Sequence, residues 1–109
     1  MATSKEFLSF ILDQLSALDG VEARAMMGEY LLYYRGKLVA DLCDNRLLVK
    51  PVPAALSLLP HAPREAPYEG AKEMLLVTEV DDPAFLSELF RAIYDELPMP
   101  KEKKRRSGL

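Results

Sequence analysis

The stretch EYLLYYRGKLVADLCDNRLLVK, residues 29–50, decides the fold. It reads as three β-prone segments, 29–34, 37–43 and 46–50, joined at Arg35-Gly36 and Asp44-Asn45. Both dipeptides suit two-residue hairpin turns, which need backbone conformations that Gly, Asn and Asp adopt at low cost. With such turns Tyr33 faces Leu38 and Leu31 faces Ala40; across the second turn Leu42 faces Leu47 and Ala40 faces Val49. Side chains opposite one another share a face. The register therefore predicts a charge-free face of Leu31, Tyr33, Leu38, Ala40, Leu42, Leu47 and Val49. The other face is mixed: Tyr30, Leu32, Tyr34, Lys37, Val39, Asp41, Cys43, Arg46, Leu48 and Lys50. On this reading Tyr30 and Leu32 are more exposed than Leu31 and Tyr33.

Working outward, residues 21–26 form a further strand, broken by Gly28. Before it, residues 4–18 predict a helix with Thr3 as N-cap and Glu6 at capping-box spacing. Phe7, Leu8, Ile11, Leu12, Leu15 and Leu18 make its apolar stripe, and Gly20 ends it. On the other side, Pro51 and Pro53 stop the sheet, 54–59 suits a short helix, and 61–70, with Pro63 and Pro67, reads as loop. Residues 74–80 form another strand. Asp82 and Pro83 then begin a helix as N-cap and first residue, with Phe85, Leu86, Leu89, Phe90, Ile93 and Leu97 as its stripe. Pro98 and Pro100 end it. The fold class this predicts is α+β: a two-layer sandwich in which an antiparallel meander sheet is covered on its charge-free face by the N- and C-terminal helices. Residues 1–100 form the domain and 101–109 a disordered basic tail.

The chain has 109 residues, half of them apolar, enough for one domain with its own core. No apolar run approaches the roughly 18–20 residues that cross a bilayer, and the opening MATSKEFLSF lacks the pattern of a secretory signal. The single cysteine, Cys43, excludes a disulfide framework and suits a reducing cytoplasm. Net charge is −3, unevenly spread: five basic residues and one acid give 101–109 a charge of +4, leaving −7 on the first 100 residues. An acidic body is a poor match for a nucleic-acid backbone.

The segment RAMMGEYLLYYRGKLVADLCDNRLLVK, residues 24–50, resembles the core of the N-terminal domain of the TfoX/Sxy family of bacterial competence regulators. Arg24, Met26, Met27, Gly28, Tyr33, Gly36, Asp44, Leu47 and Lys50 match that family's pattern residue by residue, and SKEFLSFILDQL looks like its first helix. The likeness spans about residues 3–97. Two departures stand out: Gly28-Glu29 replaces a frequent Gly-Gly, and nothing here corresponds to the second domain of full-length regulators, which points to a stand-alone member. The resemblance implies the α+β fold and a role in transcriptional regulation.

The residues themselves advertise little chemistry. His61, the only histidine, lies in a Pro-rich loop with no partner at catalytic spacing. Cys43 reads as a small apolar filler; the alternative, a reactive thiol, would draw on Arg46 opposite it. One His and one Cys are too few for structural zinc, Asp41, Asp44, Asp81 and Asp82 follow no calcium-loop spacing, and no glycine pattern cradles a phosphate. No cofactor is expected. The mixed face offers Tyr30, Leu32, Tyr34, Val39 and Leu48 as a docking surface, for a protein partner such as transcription machinery or for a second copy. Otherwise residues 61–73 fold over it, or it stays half-wet. Lys101, Lys103, Lys104, Arg105 and Arg106 could form an arm for weak nucleic-acid contact. The expected function is thus a non-enzymatic regulatory interaction domain without a membrane segment. The alternatives are a weak nucleic-acid binder using the tail and a small ligand-binding protein.

Overall fold

The computed structural model describes residues 3–98. Chain order runs α1 (Lys5–Gln14), β1 (Val21–Met26), β2 (Glu29–Tyr34), β3 (Lys37–Cys43), β4 (Arg46–Val49), α2 (Pro53–Leu58), β5 (Arg64–Glu65), β6 (Met74–Val77) and α3 (Pro83–Glu96). The six strands form one antiparallel sheet in the order β1-β2-β3-β4-β6-β5.

Three two-residue turns produce the four-strand meander. Their central residues all have positive φ: Met27 and Gly28 at 52° and 85°, Arg35 and Gly36 at 51° and 86°, Asp44 and Asn45 at 54° and 56°. Two consecutive left-handed residues give the turn the same hand as the twist of the strands it joins, so each reversal is tight and in register. Gly28 and Gly36 meet that demand without a Cβ, while Met27 and Arg35 meet it at a cost.

The helices cover one face, as the sequence predicts. Ile11 from α1 and Leu15 at its C-cap, with Leu86, Leu89, Phe90 and Ile93 from α3, are buried against Leu32, Ala40, Leu42, Leu47, Val49, Leu75 and Val77 of the sheet. The Asp82 side chain accepts from Phe85 N at the start of α3, with Pro83 in the first turn. The cap of α1 is Ser4, whose Oγ accepts from Phe7 N, rather than Thr3. Thr3 Oγ1 instead accepts from Asn45 N at the β3–β4 turn. Glu96 Oε1 accepts from Ala54 N, tying the end of α3 to the start of α2.

Which strand residues face those helices differs from expectation on one side of a single irregularity. Tyr33 is opposite Leu38, Leu42 opposite Leu47 and Ala40 opposite Val49, as the turn geometry requires. Ala40, however, faces Leu32 and not Leu31, because the β2–β3 register shifts between Leu32 and Tyr33. Val39 is the extra residue, and it and Ala40 are both buried. A bulge of this kind exchanges the faces of everything beyond it. Hence Leu32 and Tyr34 are buried under the helices, with Tyr30 packed against the same core, while Leu31 and Tyr33 lie on the opposite face, partly exposed. The expected order of exposure is reversed at the decisive pair: Leu32 is 0% exposed.

The same exchange carries Lys37 to the helix side. There its ammonium donates to Tyr94 O at 3.0 Å and Leu97 O at 2.9 Å and sits 4.0 Å from the centre of the Tyr94 ring. A cation at the C-terminal end of α3 bonds two carbonyls of its last turn and opposes the negative end of the helix dipole.

Candidate functional site

The expected docking residues divide into two groups, and neither is presented to solvent. Tyr30, Leu32, Tyr34 and Val39 lie on the helix-covered face for the reason just given. Leu48 does lie on the outer face, yet it is 0% exposed. It packs with Cys43, Met74 and Leu76 in a second small apolar cluster. The segment from β5 to β6 closes over this half of the outer face, which was the competing expectation for it. The basic residues Lys101, Lys103, Lys104, Arg105 and Arg106 lie outside the described residues.

Arg46 anchors the covering segment. Its guanidinium donates to Glu65 Oε1 at 2.6 Å, to Ala66 O at 3.5 Å and to Pro67 O at 3.4 Å. The Glu65 contact raises the guanidinium pKa further above its ordinary value. Pro67 is buried, and its carbonyl oxygen lies 2.5 Å from Cys43 Sγ. Glu29 Oε2 lies 2.7 Å from the same sulfur. Burial first, and then the Glu29 carboxylate, push the Cys43 thiol up to about 11, against the weaker opposing effect of Arg46. The cation that could have activated this cysteine stands 3.8 Å from the sulfur and is held at 2.6 Å by Glu65, whereas the Glu29 carboxylate lies closer to the sulfur. Cys43 is therefore a protonated, hydrogen-bonding core residue at neutral pH rather than a thiolate. Burial, then the charge of Glu29, likewise raises the Asp41 carboxyl above the ordinary aspartate value, with Lys50 pulling the other way.

His61 is exposed, beside a groove of about 260 Å³ lined by Leu58, Pro60, Leu76, Thr78 and Glu79 among others. Neither Cys43, Asp41 nor Arg46 lines that groove. Among the described residues no three His, Cys, Asp or Glu side chains gather as metal ligands. No helix among them is long and apolar enough to cross a membrane.

The surface that remains open is the outer face of β1 and β2 and the turn between them. Register puts Glu22 opposite Tyr33, Arg24 opposite Leu31 and Met26 opposite Glu29 on this side. The Arg24 guanidinium stacks over the Tyr33 ring, 5.1 Å from its centre. At the corner, Met27 is 97% exposed and Tyr68 55% exposed. With Met26 and Glu29 they line a mostly apolar depression of about 380 Å³. Sequence reasoning passed over this corner because Met27-Gly28 reads as an interruption between strands. The available signal was the two-residue spacing between 21–26 and 29–34, which places a methionine at the tip of a hairpin.

The residues that carry the family likeness converge here. Met26, Met27 and Gly28 stand at the open corner and Arg24 and Tyr33 farther along the same outer face, whereas Gly36 and Asp44 occupy turns and Leu47 the core. No solved structure gives a significant match to the chain. A curated relative, an uncharacterized 12.7 kDa protein in the trpE 5′ region of Spirochaeta aurantia, is 36% identical over 109 residues, covering 98% of this chain and 94% of the relative. The TfoX N-terminal domain family model matches residues 13–96, and the chain belongs to that family.

Proposed function

We propose that this chain is a non-enzymatic regulatory interaction domain, acting in the cytoplasm by protein–protein contact in transcriptional regulation. The observation that carries this reading is the open corner. A methionine almost wholly in water at a hairpin tip, with an exposed tyrosine at the same corner and a stacked Arg–Tyr pair farther along the same outer face, joins flexible apolar contact area to aromatic and guanidinium anchors. Exposed apolar area grouped in this way marks interaction surfaces more often than it occurs at random. The case against catalysis rests on the protonated Cys43 and on the absence of Cys43, Asp41 and Arg46 from the groove that His61 lines. The family resemblance supplies the link to transcription and competence.

The test is affinity capture from extracts of the native cell with the full chain as bait, beside Met27→Glu and Tyr33→Ser baits. The expected result is a specific protein of the transcription apparatus, retained by the unaltered chain and lost with both variants. Equal capture by all three baits would remove the corner from the proposal, and capture of nothing would remove the interaction reading.

A further inference from the structure

The two edges of the sheet are finished differently. At one edge, β5 has two residues, Arg64–Glu65, with Pro63 before it and Pro67 soon after. Shortness and proline are standard ways of blocking a sheet edge against further pairing. At the other edge, β1 runs six residues, Val21–Met26, in unbroken register with β2 and contains no proline. Its far side pairs with no strand among the described residues.

The groups that β1 leaves open follow from the ladder. Arg35 N donates to Gly20 O at 2.9 Å, and the two-residue turn makes Met26 and Glu29 a hydrogen-bonded pair of the same parity. Alternation then directs the N–H and C=O of Glu22, Arg24 and Met26 toward β2, and those of Val21, Ala23 and Ala25 away from it. The side chains sort the same way. Ala23 is opposite the buried Leu32 on the core side, and Arg24 is opposite Leu31 on the outer side with Glu22 beside it.

We propose that β1 is a self-complementary edge through which two copies of this chain join as a two-fold, antiparallel β1–β1 pair centred on Ala23. The charges choose the register. Pairings that keep core side on core side and bring open backbone groups together must slide by two residues at a time. With Ala23 opposite Ala23 of the second copy, Glu22 faces Arg24 of that copy and Arg24 faces its Glu22, while Val21 faces Ala25. A slide one way opposes Glu22 to Glu22, and a slide the other way opposes Arg24 to Arg24; both set like charges directly against each other. In the favoured register the open N–H and C=O groups of Val21, Ala23 and Ala25 all find partners. The Glu–Arg pairs fall at non-hydrogen-bonded positions, where opposed side chains are closest. The axis stands perpendicular to the sheet, so both open corners end on one side of a continuous twelve-stranded sheet. The pairing needs no other protein and stands independently of the docking reading above.

Sedimentation of the full chain over a concentration series tests the pairing, with circular dichroism checking that each variant is folded. The expected result is a reversible dimer. Glu22→Arg alone and Arg24→Glu alone should each weaken it about tenfold or more, since two attractive cross-strand pairs become repulsive. The double variant Glu22→Arg/Arg24→Glu, which exchanges the two charges, should restore it. Ala23→Pro should abolish it while leaving the β1–β2 ladder intact, because the N–H it removes points away from β2. Ala23→Cys in a Cys43→Ser background should cross-link across the axis on mild oxidation, where paired Cα atoms stand about 5.5 Å apart. Glu22→Cys, displaced by two residues from its own copy, should not. A strict monomer at high concentration overturns the proposal. So does a dimer in which the double charge exchange rescues nothing and the two cysteine positions cross-link alike.

Discussion

The outer face of the sheet has two halves, built from neighbouring strands and finished in opposite ways. Over β4 and β6 the chain returns and seals it: Leu48 and Cys43 are as buried there as any residue under the helices. Over β1 and β2 the returning segment reaches only the corner, where Tyr68 stands by Met26, Met27 and Glu29, and Arg24, Leu31 and Tyr33 share a surface with water. The difference is set by Arg46. A guanidinium presents several donors in a fixed plane, and here they hold one carboxylate and two carbonyls of the covering segment. No comparable anchor stands on β1, where Arg24 is stacked on an aromatic ring of its own sheet. One half of the face has been converted into core and the other left as surface.

If that division is right, truncating the same residue type on the two halves should give unequal losses. Leu48→Ala removes a fully buried side chain and should cost about 2–5 kcal/mol. Leu31→Ala, partly exposed on the open half, should cost about 1 kcal/mol or less. Urea unfolding of the two variants measures both. Equal losses would mean that residues 61–73 do not seal the face in solution.

The thiol gives the next largest effect and reports on the same seal. Its folded pKa of about 11 lies above the ordinary 9.0. The unfolded chain therefore loses this proton first as pH rises. The stabilisation is fully present below pH 9 and is lost between about 9 and 11, by an amount on the order of 2 kcal/mol. The measurement is the difference between the chain and its Cys43→Ala variant across pH 8–11. The gap should narrow as pH rises. Alkylation of Cys43 at pH 8 should likewise be slow, and its acceleration by Glu65→Gln would show the seal loosening. That variant should itself cost about 1 kcal/mol, as expected for a partly buried ion pair.

The contrast also explains what could be read from the sequence. The meander, its turns at Arg35-Gly36 and Asp44-Asn45, and the Asp82-Pro83 helix start are local chemistry, and each is present in the structure. The faces of β2 are not local chemistry. They depend on a single unpaired residue, Val39, and a β-branched apolar side chain looks the same in a bulge as in a regular strand. Once that residue is inserted, Tyr30, Leu32 and Tyr34 exchange places with Leu31 and Tyr33, and the expected docking face becomes core. Residues on the other side of the bulge, from Asp41 to Lys50, keep the expected faces. The covering of Leu48 had an equally non-local cause: contacts between Arg46 and residues some twenty positions later.

The smallest expected effect bears on the open corner itself. Met27 holds φ at 52°, a conformation that asparagine adopts more readily than methionine in this kind of turn. Met27→Asn should therefore stabilise the fold by roughly 0.5 kcal/mol, read as a raised unfolding midpoint in urea. A chain under pressure only to fold would place Asn or Gly here, since Met27 is almost wholly in water and packs on nothing that stabilises the hairpin. If the variant is more stable and loses capture of the partner, the methionine is kept at a cost in backbone strain for what it touches outside the molecule. If it is less stable, the depression among Met26, Met27, Glu29 and Tyr68 is a packed part of the fold, and the open half of the sheet is less open than its exposure suggests.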